Sequence, residues 1–150
     1  ISNLRLNEIL QTALQSTQQS IANSNALLEF DVNFTNTKIQ TDPDRLSQVF
    51  INLITNAVKY NDKSQPTLKI SCQKDNEFLC VSFQDNGPGI PVAEHTIIFE
   101  KFTRLSNTEN SSGVGLGLAI SQEIMKNLGG SLICLESKIG ANFQVKIPLN

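Results

Sequence analysis

The sequence predicts an α+β domain, a two-layer α/β sandwich whose mixed, mostly antiparallel sheet is covered by about three helices. Three observations carry this expectation. Apolar residues recur near every 3.6 positions in three segments, about 4–22, 43–60 and 116–128. Period-two runs come in pairs, 67–73 with 78–84 and about 131–136 with 142–149. The order of these pieces (helix, strands, helix, hairpin, helix, hairpin) suits a single sheet with its helices on one face.

In chain order, Leu6, Ile9, Leu10, Ala13, Leu14 and Ile21 mark the first helix, predicted from Leu4 to Ala22 and broken by Asn23-Ser24-Asn25. Leu28, Phe30, Val32 and Phe34 alternate with Glu29, Asp31 and Asn33, which predicts a half-buried strand over 27–34. A weaker strand is expected from Thr37 to Thr41. Asp42 can accept from the free amides of a first helical turn, and Pro43 at the first helical position loses no hydrogen bond, so a helix starts there and runs to about Tyr60. Residues 61–66 form a loop, and Lys74-Asp75-Asn76-Glu77 joins two strands as a hairpin. After the Gly- and Pro-rich turn at 85–91 a short helical stretch is expected to about Phe102. Ser106 to Ser112 is polar and is the best candidate for a mobile segment. The third helix spans Leu116 to Leu128 and ends at Gly129-Gly130. Two last strands flank Lys138-Ile139-Gly140.

At 150 residues, one domain is expected, with 39% hydrophobic residues supplying a core. A net charge of −2 excludes a basic nucleic-acid surface. Cys72, Cys80 and Cys134 are odd in number and widely spaced, which reads as reduced core thiols in a cytoplasmic setting. No membrane span or signal peptide is visible. The chain starts without Met, so it reads as a piece of a longer protein, monomeric in isolation.

The helix at 43–60 is the most informative element. Leu46, Val49, Phe50, Leu53, Ile54 and Ala57 fall in one apolar arc of about 140°, while Arg45, Asn52, Asn56 and Lys59 cluster on the other side. A solvated polar face is the plain reading of that side. Asn is a poor helix former, however, and two in mid-helix call for a reason. An amide oxygen is a hard, neutral ligand suited to Mg²⁺, and a lysine one turn on supplies a point charge for phosphate.

Asp85-Asn86-Gly87-Pro88-Gly89 reads as an ordinary turn, or as glycines that let the backbone approach a flat ligand while Asp85 accepts from an exocyclic amine. Gly113, Gly115 and Gly117 precede a helix without matching a Rossmann fingerprint or a P-loop. They read either as a flexible linker or as backbone amides at a positive helix end that hold phosphate. Phe99 and Phe102 are core, or anchor one end of a mobile loop. His95 has no catalytic or metal partner pattern around it and reads as a surface residue.

Together and in this order, Asn52-Leu53-Ile54-Thr55-Asn56-Ala57-Val58-Lys59-Tyr60, Asp85-Asn86-Gly87-Pro88-Gly89-Ile90, Phe99-Glu100-Lys101-Phe102 and Gly113-Val114-Gly115-Leu116-Gly117-Leu118-Ala119-Ile120 resemble the catalytic ATP-binding domain of bacterial two-component sensor histidine kinases. That family shares the Bergerat (GHKL) fold with gyrase, Hsp90 and MutL. The resemblance covers nearly the whole chain. It implies that Asn56 coordinates Mg²⁺, that Lys59 and Arg104 reach the phosphates of ATP, that Asn52 lines the same face, and that Tyr60 lies close to the nucleotide. Asp85 is similar to the aspartate that reads the adenine amine, with Gly87 and Gly89 shaping that wall. Phe99 and Phe102 look like the F-box, and Gly113, Gly115 and Gly117 like the second glycine box. Ile90, Leu116 and Leu118 are counted with the nucleotide-binding residues. About 91–116 would be the ATP lid.

The resemblance implies transfer of the γ-phosphoryl group to a histidine on a separate dimerisation domain, for relay to a response regulator. Nothing in the chain matches the family's usual phosphoacceptor motif, so the catalytic part alone is expected here. Gyrase-like ATPases resemble it too, but carry a glutamate where this chain has Asn52, and an amide cannot serve as a general base. A serine kinase of the same fold is a further alternative.

Overall fold

The computed structural model describes residues 2–31, 36–101 and 116–149. Its centre is helix α2 (Pro43–Lys59), which begins as the sequence requires: the Asp42 side chain accepts from Arg45 N, and Pro43 occupies the first turn. Leu46, Val49, Phe50, Leu53, Ile54 and Ala57, the predicted apolar arc, are all buried. Each of the Leu, Val, Ile and Phe side chains among them contributes about 1.5–3 kcal/mol when fully taken from water.

That arc meets a five-stranded sheet ordered β2-β4-β5-β7-β6. Strands β4 (Thr67–Asp75) and β5 (Phe78–Asp85) form the predicted hairpin, with Leu68 opposite Asp85, and Asn76 takes the left-handed conformation in its turn. Strands β6 (Ser131–Leu135) and β7 (Asn142–Pro148) form the second hairpin, and β7 pairs antiparallel with β5. Strand β2 (Leu27–Asp31) lies parallel to β4 at one edge, which makes the sheet mixed. Alternate residues face the helices, among them Leu68, Ile70, Cys72, Leu79, Val81, Phe83, Phe143, Val145 and Ile147. Phe50 of α2 meets Phe83 of β5 with ring centroids 5.4 Å apart. Helix α3 (Gly117–Asn127) packs beside α2 and over β6, while helix α1 (Leu6–Asn23) packs mainly on α2.

Three expectations are corrected. The first helix does not start at Leu4: Ser2–Arg5 is a strand, β1, paired antiparallel with β3 (Lys38–Thr41) in a separate two-stranded sheet. The helix begins only after it, where Arg5 N donates to Glu8 Oε2 at 2.9 Å. Over Leu27–Asp31 strand β2 is less buried than its alternation suggested, because it sits at an edge and Phe30 keeps 44% of its surface exposed, while Val32 and Phe34 of the expected strand lie outside the described residues. The expected short helix after residue 91 is two separate 3₁₀ turns, Val92–Glu94 and Ile97–Phe99. Phe99 at the end of the second is buried and meets Phe143 edge-on, with centroids 6.2 Å apart.

All three cysteines are free, Cys72 and Cys80 buried and Cys134 partly so. Burial pushes the Cys72 and Cys134 thiols up to about 11. Among the described residues no helix is long and apolar enough to cross a membrane.

Candidate functional site

The polar face of α2 carries Asn52, Asn56 and Lys59, and its two amides are used differently. Asn52 Nδ2 donates to Ser121 Oγ of α3 at 3.0 Å, and Ser121 is fully buried. A Cβ added at Gly117 would overlap Asn52 Oδ1, so a larger residue there would push the Asn52 amide from its place beside the first turn of α3. Asn52 therefore fastens α3 to α2. Asn56, one turn on and partly exposed, makes no side-chain hydrogen bond among the described residues. Lys59 is exposed, with its ammonium 5.3 Å from the centre of the Tyr60 ring.

Asp85 ends β5 and is anchored through one oxygen. Its Oδ1 accepts from Gly87 N at 2.9 Å and from Ala141 N at 3.0 Å, and its own backbone N donates to Ala141 O at 3.0 Å. Oδ2 has no partner among the described residues. Burial raises the Asp85 carboxyl above the usual carboxylate range, the bonds from Ala141 and Gly87 pull it back, and the negative charge of Asp62 adds to the rise. Gly140, at φ +62, closes on this group from the β6–β7 turn, and a Cβ there would overlap the Asp85 carbonyl oxygen. Gly89, at φ +80, would place a Cβ 3.2 Å from Gly140 O. The first glycine turn and the last hairpin thus interlock around one carboxylate.

Gly140, expected only as part of the turn between the last two strands, and Ala141 and Ser121 were not marked as site residues by the sequence. Ala141 lies 56 positions from Asp85, and only the pairing of β5 with β7 brings the two together. Ile90 packs against the core, and its carbonyl accepts from His95 Nε2 at 2.9 Å, so His95 folds the start of the following segment back on the turn. Leu116 O accepts from Ile120 N in the first turn of α3, and Leu118 is partly buried on the core. Phe102, Arg104, Gly113 and Gly115, with most of the expected lid, lie outside the described residues.

A profile of the histidine kinase-, DNA gyrase B- and HSP90-like ATPases matches residues 41–150. The chain belongs to that family. Among curated relatives of this ATPase domain, the hybrid signal transduction histidine kinase F of Dictyostelium discoideum is 38% identical over 114 residues, covering 73% of this chain and 10% of the relative. Sensor protein KdpD of Escherichia coli is 34% identical over 146 residues, 97% of this chain and 16% of KdpD. The chain thus spans only a small part of the curated relatives it matches. Among solved structures, the catalytic domain of histidine kinase ThkA, nucleotide-free, is 26% identical with a TM-score of 0.85, covering 98% of this chain and 96% of that one. The mixed sheet under its helices is the fold of these catalytic domains.

The residues present suit a magnesium-bound polyphosphate. No group of three or more His, Cys, Asp and Glu that could hold a metal exists among the described residues. An ion here would take an amide oxygen from the protein and its other ligands from phosphate and water, the usual habit of Mg²⁺.

Proposed function

We propose that this chain is the catalytic part of a histidine kinase, which binds Mg²⁺-ATP and passes the γ-phosphoryl group to a histidine on a separate helical domain. The observation that carries this is the Asn56 amide, without a partner among the described residues and one turn on from the Asn52 that is bonded to α3, in a chain of the ATPase family. Asn56 would hold Mg²⁺, which when bound neutralises charge on the phosphates. Lys59 adds a positive charge on the same face, and the N–H groups opening α3 can face phosphate oxygens. At the other end Asp85 Oδ2, without a partner among the described residues, would accept from the exocyclic amine of adenine, while Oδ1 is held by the backbone. Tyr60, Gly87, Gly89, Ile90, Leu116, Gly117 and Leu118 are proposed, from the sequence resemblance, to line the space between. Phe102, Arg104, Gly113 and Gly115 complete the proposal from the sequence.

Phosphoryl transfer asks the protein mainly for positioning and charge stabilisation. No general base is required here, since a neutral acceptor histidine is itself the nucleophile. A water-activating ATPase is disfavoured by Asn52, whose amide has no basicity and is already bonded to Ser121. Histidine kinase ThkA has been crystallised with response regulator protein TrrA, and its chain is 25% identical to this one with a TM-score of 0.83. A receiver domain is accordingly the proposed downstream partner, and the cytoplasm the proposed site of action. The test is to mix this chain with candidate dimerisation domains and labelled ATP. Acid-labile, base-stable label on the partner's histidine supports the reading. Release of inorganic phosphate at the same rate with and without partner, and no phosphohistidine, would overturn it.

A further inference from the structure

Between the two ends of the proposed site runs a clasp of side-chain amides. Asn86 follows Asp85 directly. Its Oδ1 accepts from Asn61 Nδ2 at 2.8 Å and from the backbone N of Thr67 at 2.8 Å, while its Nδ2 donates to Gln65 O at 3.3 Å. The amide's orientation is fixed by chemistry, because a backbone N–H can only donate and a carbonyl can only accept. Asn61 is equally committed: its Oδ1 accepts from Lys63 N at 2.9 Å, which leaves Nδ2 for Asn86. Asn61 also lies over Gly87, whose missing Cβ would stand 3.5 Å from Asn61 Cα. The loop leaving α2 is thus folded onto the residue beside the base-reading carboxylate.

The consequence is geometric. Asn56, Lys59 and Tyr60 close α2, and Asn61 follows within the same turn, where Asn61 N still donates to Val58 O. Apolar packing of Phe50 on Phe83 sets how α2 lies on β5 in the middle of the helix. Ala57 and Val58 bury the last turn of α2 on the core, and the Asn61–Asn86 bond adds a directed link between the end of that turn and the residue after Asp85. We propose that Asn86 is a positioning residue, which with Asn61 sets the span between the magnesium-binding amide of Asn56 and the adenine-reading carboxylate of Asp85, and touches no nucleotide atom itself.

The proposal rests on the nucleotide reading above and makes a demand that reading alone does not. A ligand that must reach both ends should feel the clasp, and a ligand that reaches one end should not. The experiment titrates the wild type, Asn86→Ala, Asn61→Ala and the double variant with ATP plus Mg²⁺ and with adenosine. Asn86→Ala should weaken Mg²⁺-ATP binding about tenfold, the scale of one or two lost hydrogen bonds, with adenosine affinity changed less than about twofold. Asn61→Ala should act in the same direction, and the double variant should be no worse than Asn86→Ala, since both substitutions break one link. Equal proportional losses for adenosine and Mg²⁺-ATP, or single effects that multiply in the double variant, would overturn the clasp. If Asn86→Ala lacks a cooperative thermal transition, Asn61→Ala makes the same discrimination alone. A wild type that binds neither ligand would instead sink the nucleotide reading.

Discussion

The two ends of the proposed site are built in opposite ways. Around Asp85 nearly everything is committed: one carboxylate oxygen takes two backbone N–H groups, Gly140 presses on its carbonyl, and Asn86 ties the next residue to two other segments. Around Asn56 and Lys59 almost nothing is. The amide has no partner among the described residues, and the lysine is exposed over Tyr60. A rigid end can choose a base by shape and donor pattern, because a mismatched ring cannot pull the carboxylate to suit itself. An open end suits phosphates that bring their own ion and leave altered. On the proposed reading, the difference assigns selectivity to β5 with its neighbouring turns and turnover to the end of α2.

The largest effect should come from breaking the rigid end. In Gly140→Ala the new Cβ meets backbone, not a movable side chain, and φ +62 is strained for any L-residue. We expect about 2–4 kcal/mol of lost stability, with Mg²⁺-ATP binding lost in whatever remains folded. Urea unfolding measures it. A loss under about 1 kcal/mol would mean that the β6–β7 turn gives way, and that the Asp85 end is no more rigid than the other.

Breaking the open end should separate binding from stability. Asn56→Ala removes an amide that makes no side-chain hydrogen bond among the described residues, so stability should stay within about 0.5 kcal/mol. Calorimetry with ATP should nevertheless show loss of the magnesium-dependent part of the affinity, at least about tenfold. Asn52→Ala offers the internal contrast. It breaks the bond to Ser121 and leaves a buried hydroxyl without that partner, so it should cost stability on the order of 1–3 kcal/mol. If the two variants unfold alike, the division of labour between these amides is wrong.

Much of this contrast was legible in the sequence, and the reason is locality. The apolar arc of α2, the Asp42 cap and the pairing of β4 with β5 depend on neighbours a few positions away. Asn56, Lys59 and Asp85 stood out because amides in mid-helix and a carboxylate at a glycine turn break local rules. What escaped was non-local. Gly140 and Ala141 matter only because β7 lies against β5, and Ser121 only because α3 crosses Asn52. Asn52 looked equivalent to Asn56 on a helical wheel, and only the position of α3 separates them. Strand β1 escaped for the same reason, since Ser2–Arg5 becomes a strand by pairing with residues 38–41.

The smallest effect should come from the charge on Asp85, and it carries the opposite sign. Because burial raises this carboxyl, its ionised form is less favourable in the folded chain than in the unfolded one. The neutral acid thus contributes stability at low pH, and that contribution is lost as pH rises through the raised value. In Asp85→Asn the amide oxygen can still accept from Gly87 N and Ala141 N without burying a charge. At neutral pH the variant should therefore melt higher than the wild type, by a few degrees at most for a chain of this size. The gap should close as pH falls and the wild-type carboxyl takes up its proton. Adenine nucleotide binding should fall at the same time, because the acceptor that faces the exocyclic amine has become a donor. Thermal melts from pH 4 to 8 with and without ATP test both halves. A variant that melts lower than wild type at neutral pH would show that the two backbone bonds outweigh burial, and that the charge at the rigid end stabilises the fold.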